Sequence, residues 1–310
     1  MIFNLINNPI YFELKKLKLI SDKNLVKISN KTRDNKIAVI QDKKTKVIFL
    51  EKFIRDKSYY EKVVYDKIDK YDLILINESA DKVVTNVNTK LIKTFKLDDD
   101  ERRVKLFGKY CKNKNILDFG CGFGEFLNKI KNAKSYSAVE LREQCIKLIK
   151  SKKKKISITN DIDNFQKKFD LITMFHVLEH VPNQIGTLKK IHSKLIKKGK
   201  VIIEVPHAEE FMIIQEELKE YRDFVFWSEH LVLHTYNSLR EVLKKSGFKK
   251  IKINFFQRYN FANNLGWFLR RKPGGHMFNK DIINKQLNYE YCKNLEKIGK
   301  TDTLIALAEK

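Results

Sequence analysis

ILDFGCGFGEFL, residues 116–127, sets an apolar run holding one acid against three glycines, Gly120, Gly122 and Gly124, with an amphipathic stretch behind them. A short apolar run closed by glycine reads as a buried strand, and the glycines let the backbone turn sharply and come close to a ligand. The next residues, FGEFLNKIKNA (123–133), carry apolar side chains at helical spacing. A glycine-rich turn between strand and helix also arises for steric reasons alone, so the residues that follow decide whether it holds a cofactor.

Those residues keep a regular pattern. SYSAVEL (135–141), KISITN (155–160), FDLITMFHV (169–177) and KVIIEVP (200–206) read as further strands. REQCIKLIK (142–150) and IGTLKKIHSKLIKKG (185–199) read as helices between them, the second ending at Gly199. Nearly continuous apolar strands alternating with helices predict a parallel sheet covered on both faces. The tail breaks the alternation: NSLREVLKKSG (237–247) is a helix, while FKKIKINFFQRY (248–259) and DTLIALAE (302–309) are strands without a regular crossover, hence antiparallel at the sheet's edge. The expected fold is a Rossmann-like α/β domain over residues 99–310, a seven-stranded mainly parallel sheet with an antiparallel edge strand and a 260–300 insertion. An insertion of that length carries function or helices of its own. Residues 1–98 are expected to form a small α+β accessory region containing a hairpin in TRDNKIAVIQDKKTKVIFL (32–50), with mixed charges and aromatics over 55–78.

Bulk properties narrow the class. The 310 residues are 43% hydrophobic, enough for a substantial core. Four cysteines, Cys111, Cys121, Cys145 and Cys292, lack CxxC spacing, which fits reduced thiols in a cytoplasm. The apolar start is broken by Pro9, Glu13, Lys15 and Lys16, so no signal peptide is expected, nor any membrane span. The net charge of +25 comes mostly from lysines spread along the chain. They read as solvated surface, and the run SKKKKIS (151–157) as a turn, since a nucleic-acid face should also carry Arg and aromatics.

In an open parallel sheet, ligands bind beyond the carboxyl ends of the strands. Asp118 stands directly before the glycines, where an acid would repel a pyrophosphate and welcome an ammonium group. Glu140 closes the next strand at the same sheet end, placed to accept both hydroxyls of a ribose; Asp161, after the third, could take an adenine amino group. The set Asp118, Gly120–Gly124, Glu140 and Asp161 resembles the class I S-adenosylmethionine-dependent methyltransferases, over about residues 100–259. The resemblance implies that the Gly120–Cys121–Gly122 turn cradles the methionine part, Glu140 and Leu141 the ribose, and Asp161 and Ile162 the adenine, with Phe175 completing the site.

On the acceptor side, TMFHVLEHVPN (173–183) has neither the Asn/Asp-Pro-Pro-aromatic motif of nucleic-acid amino methyltransferases nor a Pro-Cys pair. His176, Glu179 and His180 fall at i, i+3, i+4, one face of a helical turn. Three readings stand side by side: a histidine general base, histidines that cap or pack, and a divalent-metal arrangement. Similar methyltransferases that bind metal here have an acid where His176 stands, so no metal ligand is assigned. EVPHAEEF (204–211) adds His207, and FWSEHLVLHTYNSL (226–239) adds Glu229, His230 and His234. These segments resemble a subgroup acting on small polar metabolites and sugars in surface-glycan biosynthesis. By that resemblance His230 is a further base and His234 orders the loop. In QRYNFANNLGWFLRRKPGGHMF (257–278), Arg258, Tyr259, Asn263, Asn264, Trp267 and His276 suit a sugar or nucleotide diphosphate.

The reading is a cytoplasmic S-adenosylmethionine-dependent O- or N-methyltransferase of a small anionic acceptor, a nucleotide-linked or phosphorylated sugar, with no nucleic-acid partner expected. An RNA methyltransferase and a non-catalytic cofactor-binding subunit are the alternatives.

Overall fold

The computed structural model describes residues 5, 7–53, 99–151, 155–275 and 284–310. Its helices are α1 (Pro9–Lys16), α2 (Asp99–Cys111), α3 (Glu125–Lys129), α4 (Glu143–Ser151), α5 (Gln184–Lys194), α6 (Lys219–Val225), α7 (Tyr236–Lys245), α8 (Phe261–Arg270) and α9 (Lys285–Ile298). Its strands are β1 (Leu25–Ser29), β2 (Val39–Asp42), β3 (Ile48–Leu50), β4 (Asn115–Phe119), β5 (Ser135–Val139), β6 (Ser157–Thr159), β7 (Phe169–Phe175), β8 (Leu195–Pro206), β9 (Val232–Leu233), β10 (Lys249–Phe256) and β11 (Thr303–Glu309).

The strands from β4 onward, β9 excepted, hydrogen-bond as one seven-stranded sheet in the order β10-β11-β8-β7-β4-β5-β6. This is the Rossmann-like sheet the apolar periodicity predicts. By compactness the chain divides into two units, 1–56 with 174–193 and 200–310, and 57–173 with 194–199. In the second unit β4 pairs in parallel with β5 and β7, and β5 with β6. Ile116, Leu117, Ala138, Leu171 and Ile172 are buried there, the core that such strands require. In the first unit β11 runs antiparallel to both β8 and β10, with Ala306 opposite Ile203 on one side and Ile253 on the other.

The expected hairpin over 32–50 forms as β2 and β3. Its turn is held by Asp42, whose Oδ1 accepts from the amides of Lys44 and Thr45, both at 2.9 Å. β3 pairs in turn with β9, so this four-stranded sheet, β1-β2-β3-β9, joins residues far apart in the chain. Pro9 begins α1 at a position where the missing N–H costs nothing, and Asn8 caps it. The segment 55–78 lies outside the described residues, and the boundary expected at 98–99 falls where they resume.

Some boundaries differ from expectation. The helix predicted over 185–199 stops at Lys194, and the chain is extended from Leu195, with Lys198 at φ 62° before Gly199. The helix predicted over 123–133 keeps only Glu125–Lys129, because Ile130 is extended and Asn132 takes φ 63°. The 260–300 insertion carries α8 and α9. Gly275 packs directly on α8: a Cβ there would stand 2.3 Å from the Ala262 carbonyl oxygen. The close backbone approach in KPGGH is therefore to the protein's own helix. Among the described residues no helix is long and apolar enough to cross a membrane.

Candidate active site

In the unit carrying β4–β6, the three glycines of the opening motif take φ values of 75°, 55° and 73° at Gly120, Gly122 and Gly124. Side-chain-bearing residues adopt that region reluctantly, which is why the sequence spends glycine at each. The turn is stitched to the end of β5. Gly120 and Cys121 donate their amides to the Val139 carbonyl at 2.8 and 3.2 Å, and Gly122 donates to Glu140 Oε2 at 2.8 Å. Glu140, itself buried, also accepts from the amides of Leu141 and Arg142 and from the Arg142 guanidinium at 3.0 and 3.1 Å. The acid expected to hold a ribose and the turn expected to cradle an amino acid are one hydrogen-bonded piece.

Asp118, buried in β4, accepts from Thr173 Oγ1 at 2.7 Å. Burial pushes its carboxyl up to about 7; the Thr173 hydrogen bond opposes this, and the charge of Asp100 adds to it. Such a group changes charge readily when a cation arrives. Asp161 caps the short turn Ile162–Asn164, accepting from the Asp163 amide at 3.0 Å, and Ile162 is buried beneath it. Leu141 is half-buried; Phe175, expected beside them, is buried and belongs to the other unit. The positive-φ turn, the buried acid and the anchored Glu140 fit the amino-acid and ribose parts of an adenosyl amino acid.

In the other unit, His176, Glu179, His180, Glu229 and His230 gather. His176 follows β7 at φ 52°, a strained conformation for a side-chain-bearing residue. Its amide donates to the Glu204 carbonyl at 2.8 Å, and its ring lies between two buried carboxylates, Nδ1 3.2 Å from Glu179 Oε1 and Nε2 3.1 Å from Glu204 Oε1. Burial disfavours its cation, but the Glu179 hydrogen bond and the charges of both acids outweigh burial and raise its pKa. A raised pKa makes this imidazole a proton acceptor already engaged by two carboxylates. Glu179 goes the other way: burial alone would raise it, but His176 and His180 hold it down at about 2.

His180 lies 3.9 Å from Glu179 Oε1 through Nε2 and 4.0 Å from Glu229 Oε2 through Nδ1. Its ring meets His230 at 5.0 Å, centroid to centroid, and Trp227 packs edge-on to both. Burial, reinforced by His180, pushes the His230 pKa down to about 3, so its imidazole is neutral. Arg33 stacks over Trp227 at 4.7 Å, and the neighbouring Asp34 fixes this loop by accepting from the Ser228 amide at 3.0 Å and from the Ser228 hydroxyl.

The remaining expected residues are engaged elsewhere in this unit. His207 is buried, with Nδ1 2.9 Å from the Thr301 carbonyl oxygen and its ring against Phe255. His234 bridges Ser238 and Gln184, both at 3.0 Å, tying the start of α7 to α5. Arg258 stacks on Tyr259 at 4.9 Å, and both backbone amides donate to Asp302. Asn263 and Asn264 are buried in α8, with Asn264 donating to the Tyr291 hydroxyl of α9. Trp267 fills the space between Tyr221 and Phe224. His276 lies outside the described residues.

Sequence reasoning passed over Glu204, Arg33, Asp34, Trp227, Thr173 and Arg142. Only Glu204 gave a signal: a lone acid inside VIIEV has to find a partner when the strand is buried.

Residues 96–253, a little over half of the chain, match the family described as Methyltransferase domain, and the chain belongs to that family. An uncharacterized protein of Methanocaldococcus jannaschii is 30% identical over 169 residues, covering 54% of this chain and 66% of that one. Malonyl-[acyl-carrier protein] O-methyltransferase 2 of Ilyobacter polytropus is 28% identical over 138 residues, covering 42% and 52%. The chain thus spans from about half to just under two thirds of these relatives' lengths. Among solved structures, phosphoethanolamine N-methyltransferase 2 of Haemonchus contortus in complex with S-adenosyl-L-methionine superposes with a TM-score of 0.50 at 17% identity, covering 85% of this chain and 61% of that one. That likeness shows the shared fold.

Proposed function

We propose that the protein transfers the methyl group of S-adenosylmethionine to a small anionic acceptor, a nucleotide-linked or phosphorylated sugar used in surface-glycan synthesis. The observation that carries the cofactor assignment is the Gly122–Glu140 hydrogen bond, which makes the glycine turn and the acid beyond β5 a single preformed cradle. In it Asp118 faces the ammonium group, Glu140 and Leu141 the ribose, and Asp161 and Ile162 the adenine, with Cys121 beside the methionine part. The cofactor supplies an already activated methyl on a sulfonium. What remains for the chain is to orient the acceptor in line with it and help remove a proton. The cluster of His176, Glu179, His180 and His230 supports an acceptor-side role, since it gathers three imidazoles around one buried carboxylate. Arg33, two rings from His180, supports an anionic acceptor.

The test uses methyl-labelled S-adenosylmethionine with fractionated cell extract, and calorimetric binding of S-adenosylhomocysteine. Label is expected in charged small metabolites. Glu140→Ala should weaken binding about tenfold or more, as expected when a partner of buried hydroxyls is lost. Label confined to RNA would overturn the acceptor, and unchanged affinity in the variant would overturn the cradle.

A further inference from the structure

The acceptor-side cluster contains a feature that proton transfer leaves unexplained. One ligand-capable atom from each of Glu179, His180 and His230 lies within 4.8 Å of the other two. Two atoms on these residues, Glu179 Oε2 and His230 Nδ1, are buried without a hydrogen-bond partner among the described residues. Buried polar atoms in native proteins are almost always partnered, so a pair of orphans on neighbouring residues points to something that binds them both. The other Glu179 oxygen is already taken by His176, which leaves Oε2 for a ligand. Behind His180, Glu229 Oε2 stands 4.0 Å from Nδ1 while Nε2 is turned toward Glu179. A carboxylate behind an imidazole is the usual way a metal-binding histidine is oriented.

We propose that Glu179, His180 and His230 bind a divalent first-row transition ion, with His176 and Glu229 orienting the ligands. Two imidazoles and one carboxylate suit zinc, cobalt, iron or manganese; magnesium and calcium take oxygen ligands. Tetrahedral ligands on bonds of about 2.1 Å lie roughly 3.4 Å apart, so from separations of up to 4.8 Å the three side chains need to close by up to about 1.4 Å. Three protein ligands leave a coordination position open. On the methyltransferase reading, an acceptor oxygen takes that position and gives up its proton to solvent more readily. The binding itself does not depend on that reading, and the two can fail separately. The carboxylates of Glu179 and Glu229 both stand within about 4 Å of the His180 ring, so the site offers negative charge to a divalent ion.

The full chain, free of any affinity tag, is stripped with chelator and titrated with cobalt(II) alone, followed by visible absorption, and then with zinc as competitor. One equivalent of cobalt should bind with d–d bands of a low-coordinate site and be displaced by zinc. His230→Ala and Glu179→Gln should each weaken binding at least tenfold, whereas His192→Ala, on α5 with its ring against Phe248, should not. Circular dichroism confirms that the variants fold, and His180→Ala replaces either one that does not. Absence of cobalt bands, or binding indifferent to His230, overturns the proposal. Methyl transfer that persists in stripped protein without cobalt bands would overturn the metal and leave the enzyme reading standing. Cobalt bound by a protein with no methyl transfer would do the reverse.

Discussion

Asp118→Asn should make the protein more stable and a worse binder of its cofactor, with both effects set by pH. The buried carboxyl has been pushed from the ordinary 3.8 to about 7. At pH below 3.8 it is protonated in both folded and unfolded chains and contributes nothing to pH dependence. Between 3.8 and about 7 the folded protein keeps a proton that the unfolded chain has released, so stability falls as pH rises. At about 1.4 kcal/mol per pH unit, the cost of the buried charge reaches roughly 4 kcal/mol at pH 8. The residue is 3% exposed, so solvent screening discounts this little. Asparagine keeps an oxygen for the Thr173 hydroxyl but carries no charge. The unliganded variant should therefore gain about 2–4 kcal/mol at pH 8 and almost nothing at pH 4. An ammonium group beside Asp118 favours the ionised form, so binding should release a proton. Affinity for S-adenosylhomocysteine should climb up to tenfold per pH unit between about 5.5 and 7, staying below the range in which the ligand's own amino group titrates. Urea unfolding at both pH values, with calorimetry in buffers of different ionisation enthalpy, measures each effect. Equal proton release by wild type and variant, or a variant less stable at pH 8, would refute the reasoning.

Three further outcomes follow from named contacts. Asp34→Ala leaves the buried Ser228 amide without its acceptor and should cost about 2–3 kcal/mol, with faster hydrogen exchange at Ser228; an unchanged urea midpoint would show that Asp34 does not hold the loop. Gly275→Ala places a methyl 2.3 Å from the Ala262 carbonyl oxygen and 2.7 Å from Gly266 Cα, which should cost about 2 kcal/mol or more and lower the Tm. A variant melting with the wild type would refute the close approach. Arg142→Ala removes the guanidinium that engages both Glu140 oxygens and should tighten nucleoside binding several-fold, since ribose hydroxyls no longer compete with it. Weaker binding would mean that Arg142 itself holds the ligand.

The alternation of apolar strands and helices from residue 115 to 206, the turn at Gly120–Gly124 and the acids at 118, 140 and 161 were legible in the sequence because each is a local property. A strand's burial shows in its own residues, and a positive φ shows in the glycine that adopts it. Helix ends were less legible. The apolar spacing runs on past Lys194, and only the extended course from Leu195 ends α5 there. Partnerships across the chain were not legible at all. The i, i+3, i+4 spacing puts His176 with Glu179 and His180, but only the fold sets Glu204 against its other nitrogen and so helps raise its pKa. Similarly, nothing near Ser228 indicates that Asp34, 194 residues earlier, holds its loop, or that Arg33 covers Trp227. The sequence by itself determined the sheet and the cofactor-type turn, because backbone preference and burial pattern act over a few residues. The opposite pKa shifts of His176 and His230 were decided by tertiary structure alone, because a buried group's titration depends on the partners that folding brings to it.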